Sequence, residues 1–283
     1  MIGSGARANW VWWTGYRCRR RSGRGPARRL VMWLTFLCLA LGNTDSSAAQ
    51  TPLRLGVNNS WAPYSAQDDK GRPAGIFIDI LEEALKRRLG LPLELVSLPW
   101  ARVQAYVRDR KVDGLITVPI RERLQYLAAS KNVFSLLLSV YINGDSPYYA
   151  ALGEVTNLQA LAPFEGCEIY GNNSAIERYQ RFRFDKIQLV TKYRQCFQML
   201  LANRVDFVIT PSALVAGLIK DMDKGAALRK QPFKIPANHY LMIHKKSPYM
   251  DVLPKFNRVI REMRQEGVIG SIVKKHGMTY NGQ

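Results

Sequence analysis

Two apolar runs with nearly the same sequence occur in this chain, at Lys111–Pro119 and at Arg204–Pro211. Each begins with a basic residue and Val-Asp, continues through three apolar positions, and ends at a Thr that Pro follows within two residues. Residues 101–110 and 193–203, which precede the two runs, carry apolar side chains at helical spacing. The pattern predicts a helix that leads into a short buried strand, an αβ unit that is used twice.

Apolar and polar positions elsewhere predict more elements of the same two kinds. Ile78, Leu81, Leu85 and Leu89 are spaced three and four residues apart, which predicts an amphipathic helix that ends at Gly90. The other predicted elements are the strands Leu53–Val57, Leu93–Leu98, Cys167–Tyr170 and Ile187–Val190, a helix at Ala175–Arg181, long apolar strands at Phe134–Asn143 and Ile235–His244, and two helices between Leu253 and Gly277.

The order of these elements predicts an α/β fold of two lobes, each a mainly parallel sheet flanked by helices. The two long apolar strands are predicted to cross between the lobes. Residues 50–140 and 236–283 then form lobe 1, and residues 141–235 form lobe 2. In α/β sheets, ligands bind beyond the carboxyl ends of the strands. Thr117 and Thr210 stand at those ends in the two repeats, so we expect both to line a cleft between the lobes.

Composition and charge are typical of a globular protein and do not indicate nucleic-acid binding. Of the 283 residues, 47% are hydrophobic and 22% are charged, and the formal net charge is +19. Residues 1–50 contribute +7 of this charge, because they contain eight Arg and one Asp. The rest of the basic residues are interspersed with acids, and no nucleic-acid-binding motif occurs. We therefore expect no nucleic acid, cofactor or metal ion as a partner.

The first 49 residues have the three parts of a secretory signal peptide. An Arg-rich segment precedes the apolar run Leu30–Leu41, and Ser47-Ala48-Ala49 supplies small residues before Gln50. The apolar run is shorter than the roughly 20 residues that a transmembrane helix needs, although an amino-terminal anchor remains the alternative. The pattern predicts cleavage after Ala49 and a periplasmic or secreted protein.

Export would leave two cysteines in the mature chain. Cys18 and Cys38 fall in the predicted signal, so that Cys167 and Cys196 remain. Two cysteines in an oxidising compartment favour one disulfide bond, and two buried free thiols are the alternative.

Several short motifs occur in a characteristic order over most of the predicted mature chain. They are Leu53–Val57, Trp61-Ala-Pro-Tyr64, Gly75–Asp79, Trp100, Lys111–Gly114, Arg123, Tyr240–Pro248 and Gly267–Gly277. In order and spacing they resemble the bacterial extracellular solute-binding proteins of the amino-acid type, family 3, which are the receptors of ATP-driven (ABC) importers. The resemblance implies a periplasmic-binding-protein-like fold whose two lobes close on a small ligand by a hinge motion.

The resemblance also implies aromatic contacts with the ligand. Trp61 begins the motif that ends at Tyr64, and Trp100 opens the helix before the first repeat. Both Trp residues lie where the family places residues that stack on the ligand, and Tyr64 is a third candidate. Two Trp rings can hold an aliphatic chain, a planar group or a cation, and the last contributes about 0.5–2 kcal/mol per ring. Packing in the core is the alternative role for these rings.

The carboxylate contacts that the resemblance implies come from both lobes. Arg123 falls where the family places the Arg that binds the ligand's α-carboxylate, a group that accepts two parallel hydrogen bonds from a guanidinium. Thr117 would add a hydroxyl and an amide, and Arg121 is the alternative to Arg123. In lobe 2, Asn172-Asn173-Ser174 precedes a predicted helix whose exposed amides favour an anionic group.

One departure from the family's pattern concerns the second repeat. Amino-acid binders carry an acidic residue just after this strand to bind the α-ammonium, whereas here Thr210-Pro211-Ser212 occupies the place. An ammonium taken out of water needs a charged partner or several acceptors. A carboxylate without an α-ammonium therefore fits better than an ordinary amino acid.

We expect a monomeric receptor that delivers a small carboxylate-bearing ligand to the membrane permease of an ABC importer. One alternative is an enzyme similar to the cyclohexadienyl dehydratases of the same family, which would need a general acid or base in the cleft. Glu177 and His239 are the nearest sequence candidates for such a group, and neither has an obvious catalytic partner. A sensory binding module without a transport role is the second alternative.

Overall fold

The computed structural model describes residues 51–219, 222 and 225–280. Its strands are β1 (Leu53–Asn58), β2 (Ser60–Trp61), β3 (Ser65–Gln67), β4 (Pro73–Ala74), β5 (Leu93–Leu98), β6 (Gly114–Thr117), β7 (Leu127–Asn143), β8 (Gly166–Ile169), β9 (Ile187–Val190), β10 (Phe207–Pro211) and β11 (Leu228–His244). Its α-helices are α1 (Ile76–Leu81), α2 (Trp100–Arg108), α3 (Arg121–Tyr126), α4 (Tyr149–Gly153), α5 (Asn173–Arg181), α6 (Tyr193–Leu201), α7 (Ser212–Ile219), α8 (Val252–Gln265) and α9 (Val268–Lys275). The predicted signal peptide at residues 1–49, with its two cysteines, lies outside the described residues.

One eight-stranded sheet has the strand order β5-β1-β6-β11-β7-β10-β8-β9. The strands β5, β1 and β6 pair in parallel and form what we call the first half of the sheet. The strands β10, β8 and β9 also pair in parallel and form the second half. Between them, β7 and β11 pair with each other in an antiparallel ladder that joins the halves. The predicted α/β class with two mainly parallel parts is confirmed.

The two repeats have the same structural role in the two halves. The Asp113 carboxylate accepts a 2.9 Å hydrogen bond from the Arg54 N–H, and the Asp113 N–H donates a 2.7 Å bond to the Arg54 carbonyl. In the second half, Asp206 makes the same pair of bonds with Glu165, at 2.8 Å and 2.7 Å. Each Asp therefore fixes the start of its strand against the neighbouring segment, which explains why Val-Asp recurs.

The repeats differ at the residue that follows Asp, which is Gly114 in the first and Phe207 in the second. A Cβ atom at Gly114 would collide with the Met242 carbonyl of β11, so this position has room only for Gly. Phe207 is instead fully buried against Phe184, with ring centroids 5.8 Å apart. The two strands thus share their ends but pack against different neighbours.

The crossing strands β7 and β11 are longer than their apolar runs predict. We expected strands at 134–143 and 235–244, whereas each strand has 17 residues and begins seven residues earlier. Polar residues interrupt the early parts, which are strands because each strand pairs with the other. The ladder has register shifts between Lys230 and Lys234, between His239 and Tyr240, and between Tyr240 and Met242. The predicted lobe boundaries at 140/141 and 235/236 fall inside these strands and stay a prediction.

The amphipathic helix predicted at residues 78–89 begins at Ile76 as α1 and continues as a π-helical segment, Glu82–Arg88. The tail helix α8 buries six apolar side chains, which are Val252, Leu253, Phe256, Val259, Ile260 and Met263. It packs on β7 and on the π-helical segment, while α9 packs on α1. None of the described helices combines the length and the apolar composition that a bilayer span requires.

A disulfide bond joins Cys167 on β8 to Cys196 on α6, with 5.5 Å between their Cα atoms. Both residues are fully buried in a cluster that includes Phe197, Leu200 and Val208. The predicted pairing is confirmed, and it fastens α6 to the second half of the sheet.

Candidate functional site

A cavity of about 340 Å³ lies where strands of both halves end. Its walls include Asn58 just at the end of β1, Thr117 at the end of β6, Ile169 at the end of β8, and Thr210 near the end of β10. This is the position at which α/β sheets bind ligands, and the volume is at the small end of the usual range of about 300–1,000 Å³. A single small molecule would therefore fill the cavity.

One wall of the cavity is aromatic and belongs to the first half and the ladder. Trp61, Phe77, Trp100 and His239 line it. The Trp61 and His239 ring centroids lie 5.7 Å apart, and those of Phe77 and His239 lie 5.0 Å apart. Trp61 also contacts Tyr64 at 4.8 Å, but Tyr64 itself is buried behind this wall. The wall offers flat apolar surface to a ligand.

The opposite wall is polar and belongs to the second half. It includes Asn172, Ser174, Arg178, Tyr193 and Thr210. Asn172 is the N-cap of α5: its side-chain oxygen accepts hydrogen bonds from the Ser174 hydroxyl at 2.8 Å and from a backbone N–H of the first turn. The capping bonds hold Asn172 and Ser174 in place, whereas the buried Thr210 hydroxyl has no hydrogen-bond partner among residues 51–219, 222 and 225–280.

A buried carboxyl group behind the polar wall is absent from the sequence-based prediction. Glu168 on β8 is fully buried, and one of its oxygens accepts hydrogen bonds from the Ile169 N–H at 2.8 Å, the Tyr193 hydroxyl at 2.9 Å and the Asn172 amide at 3.1 Å. Burial raises the pKa of Glu168, although these bonds and the charge of Arg178 oppose the shift. The group fixes two side chains of the wall and does not itself line the cavity.

Arg123 lies behind the aromatic wall rather than in it. Its guanidinium donates hydrogen bonds to the Val118 carbonyl at 2.8 Å and to the Gln104 side-chain oxygen at 2.7 Å, and it lies 5.5 Å from the centre of the Trp100 ring. The residue is 2% exposed. Burial lowers the pKa of Arg123 to about 10, against the opposing effects of Tyr126 and two nearby glutamates.

Six of the nine predicted ligand residues line this cavity, and three do not. The six are Trp61, Trp100, Thr117, Asn172, Ser174 and Thr210. Tyr64 and Arg123 are buried behind the lining, and Asn173 lines a separate cavity and donates a 3.1 Å hydrogen bond to Glu122. Their contacts with a ligand stay predictions. Phe77, Arg178 and Tyr193 line the cavity but are not among the nine predicted residues, and His239, which also lines it, was predicted only as a candidate for an enzyme.

No Asp or Glu lines the cavity among the residues that the structure describes. The charged or titratable side chains in the lining are Arg178, His239 and two tyrosines. Burial lowers the pKa of His239 to about 4, and the charge of Arg123 adds to this effect. His239 is therefore neutral at physiological pH. Its Nδ1 donates to the Ala237 carbonyl 3.0 Å away, since a carbonyl only accepts, and this leaves the lone pair on Nε2.

Hydrogen bonds link the two halves beside the cavity. The Gln104 side-chain amide donates to the Gly171 carbonyl at 3.0 Å, and the Arg121 N–H donates to the Glu177 carboxylate at 3.0 Å. Gln104 also accepts from Arg123, as described above. A chain of contacts thus runs from Arg123 through Gln104 to the turn that precedes α5.

Replacing Gln104 with Leu tests this chain. The variant keeps the size of the side chain but removes the acceptor of the Arg123 guanidinium and the donor to Gly171. We expect the free energy of unfolding to fall by about 1–3 kcal/mol, because a buried donor loses its partner. Urea unfolding measures it, with Gln125→Leu at an exposed position of α3 as the control. Equal stability of the two variants would show that the contacts of Gln104 with Arg123 and Gly171 contribute nothing to the free energy of unfolding.

Comparison with known families identifies the class of protein. Residues 53–279 match the family described as bacterial extracellular solute-binding proteins, family 3. This match covers most of the chain, and the chain belongs to that family. No curated protein sequence matches it.

Solved structures of two amino-acid-binding proteins and of a sensor domain share the fold. The arginine-, lysine-, histidine-binding protein ArtJ from the thermophilic bacterium Geobacillus stearothermophilus is 20% identical, with a TM-score of 0.64 over 82% of this chain and 97% of that one. A histidine kinase sensor domain with similarity to periplasmic binding proteins is 15% identical, with a TM-score of 0.65 over 79% and 95%. The ancestral amino acid-binding protein AncCDT-1, a precursor of cyclohexadienyl dehydratase, is 20% identical, with a TM-score of 0.61 over 79% and 94%. These likenesses confirm the periplasmic-binding-protein-like fold.

Proposed function

We propose that the protein is an extracytoplasmic receptor that binds a small organic anion, such as a carboxylate without an ammonium group, for ABC-type import. The observation that carries the proposal is the charge of the site: the cavity is lined by aromatic rings and Arg178, with Arg123 behind it, and no described acid faces it. A cationic group would meet no carboxylate there, whereas an anion would meet positive charge.

The receptor role rests on family membership, and its place in the cell rests on two further observations. The disulfide bond between Cys167 and Cys196 fits a protein that folds in an oxidising compartment. The first 49 residues have the composition of a secretory signal. A cavity enclosed by both halves suits a receptor that takes up one molecule at a time.

A thermal-shift screen tests the proposed ligand class. We expect small carboxylates to raise the melting temperature more than the corresponding amino acids and amines. A ligand at 100 times its dissociation constant stabilises the folded protein by about 2.7 kcal/mol, which such a screen detects. The uptake of a compound that binds is then measured in cells that have the gene for this protein and in cells that lack it. Stabilisation by amines or amino acids alone would contradict the ligand class, and unchanged uptake would contradict the import role.

A dehydratase is the second candidate function, and one observation favours it. The neutral His239 ring lines the cavity with the lone pair of Nε2 free of the bond to Ala237, which is the state that a general base requires. Incubation of the purified protein with prephenate or arogenate, followed by detection of the aromatic product, tests this activity. Turnover that His239→Gln abolishes would favour the enzyme over the receptor.

A further inference from the structure

Arg178 is placed differently from Arg181, the other Arg residue of its helix. It lies on α5 and lines the cavity, and its Nε atom is buried with no hydrogen-bond partner in the described part of the chain. Its guanidinium lies 5.6 Å from the centre of the buried Tyr179 ring, which supports the side chain from behind. Arg181, on the same helix, is exposed and does not reach the cavity. A charged group has therefore been turned inward at one position only.

Arg178 forms no ion pair in the part of the chain that the structure describes, and the buried Glu168 carboxyl acts on its charge only through space. One oxygen of Glu168 is already used by Ile169, Asn172 and Tyr193, and Glu168 does not line the cavity. Arg178 is therefore the charged side chain that a ligand in the cavity meets on this wall.

Thr210 supplies a second unsatisfied group on the same wall. The residue is fully buried, and its hydroxyl has no hydrogen-bond partner among the described residues. Thr210 and Arg178 both line the cavity, and a buried polar group without a partner is unfavourable, so a ligand that brings an acceptor within reach of both groups stabilises them. An anionic oxygen can accept from both the guanidinium and the hydroxyl.

We propose that Arg178 and Thr210 form the contact for the anionic group of the ligand, and that the aromatic wall with Trp61 and Trp100 holds the apolar body of the same molecule. This inference rests on the proposed receptor function and deepens it. The ligand class is a small carboxylate, or another planar organic anion, that carries a flat or branched apolar group and no ammonium. The anion is bound from the second half and the body from the first.

The geometry favours Arg178 over Arg123 for this contact. Arg123 already donates to Val118 and Gln104, and it lies behind the lining rather than in it. Arg123 therefore acts on the site through its charge and through Gln104. Arg178 lines the cavity, and its Nε–H donor has no partner among the described residues.

Nuclear magnetic resonance of the arginine Nε–H groups distinguishes a direct contact of the ligand with Arg178 from one with Arg123. Benzoate is the probe, and benzamide is its uncharged control. We expect benzoate to shift the Nε–H resonance of Arg178 in a saturable manner, and benzamide to leave it in place. Arg178→Gln identifies the resonance by its loss. An unmoved Arg178 resonance, or an Arg123 resonance that moves in its place, would overturn the inference.

Trp fluorescence of the two cavity tryptophans gives an independent measure of benzoate affinity. We expect Arg178→Gln to weaken benzoate binding at least tenfold, and Arg181→Gln, which removes the same charge from the exposed side of α5, to change it less than twofold. Equal losses in both variants would show that only net charge matters, which contradicts a direct contact. If benzoate does not bind while the thermal-shift screen yields another ligand, the proposed receptor function stands and the proposed anion contact at Arg178 and Thr210 is wrong.

Discussion

Replacing Cys167 and Cys196 together with Ala should lower the free energy of unfolding by about 3.6 kcal/mol. The bond closes a loop with a sequence separation of 29 residues, and closing a loop of that length in the unfolded chain gives a stabilisation of this size. Both cysteines are fully buried between β8 and α6, so the folded structure around them is otherwise unchanged apart from the lost sulfur contacts. Urea unfolding under oxidising conditions measures the difference.

The matched control is the parent protein after reduction by a thiol. Because the loss comes from the crosslink, the reduced parent and the double Ala variant should agree to within about 1 kcal/mol. Adding the same thiol to the variant should change nothing. A parent protein whose free energy of unfolding is unaffected by reduction would contradict the prediction. It would show that packing, and not the crosslink, stabilises the second half of the sheet.

Acid should destabilise the protein through His239 by about 3 kcal/mol. The pKa of this ring is lowered from 6.5 to about 4 in the folded state by burial, and then by the charge of Arg123. Between pH 6.5 and pH 4, the unfolded chain therefore binds a proton at this ring and the folded chain does not. The contribution of the neutral His239 ring to the free energy of unfolding is fully present above pH 6.5 and is lost as the pH falls toward 4. Its size follows because each pKa unit corresponds to about 1.4 kcal/mol.

His239→Gln isolates this contribution, because Gln cannot titrate. Chemical unfolding of both proteins at several pH values between 4 and 7 gives their difference in free energy. We expect the difference to move by about 3 kcal/mol in favour of the variant as the pH falls, while His244 and the other titrating groups act equally in both. Parallel pH profiles would show that His239 is protonated as easily in the folded protein as in the unfolded chain.

The strands could be predicted closely where turn residues bound a short apolar run. Leu93–Leu98 and Ile187–Val190 agree with the structure residue for residue. The early part of β7 could not be predicted, because it contains the polar sequence Ser130-Lys131-Asn132. It is a strand because β11 pairs with it along nearly its whole length, and such long-range pairing leaves no periodic trace in the local sequence.

The candidate site was predictable in outline for similar reasons. Thr117 and Thr210 follow from the rule that ligands bind at strand ends, and both line the cavity. Glu168 could not be found in this way, because a charged residue beside Cys167 in a short strand suggests a face exposed to solvent. Here the residue is fully buried, and one of its oxygens accepts three hydrogen bonds, while the other has no partner among the described residues.

The register shifts of the central ladder bear on how the molecule deforms. Two of the three shifts involve Tyr240, which lines the cavity next to His239, and a shifted register interrupts the regular hydrogen bonds of a sheet. The ladder is therefore irregular next to the cavity. We expect a molecule that touches both walls to span this irregular stretch and to restrain it.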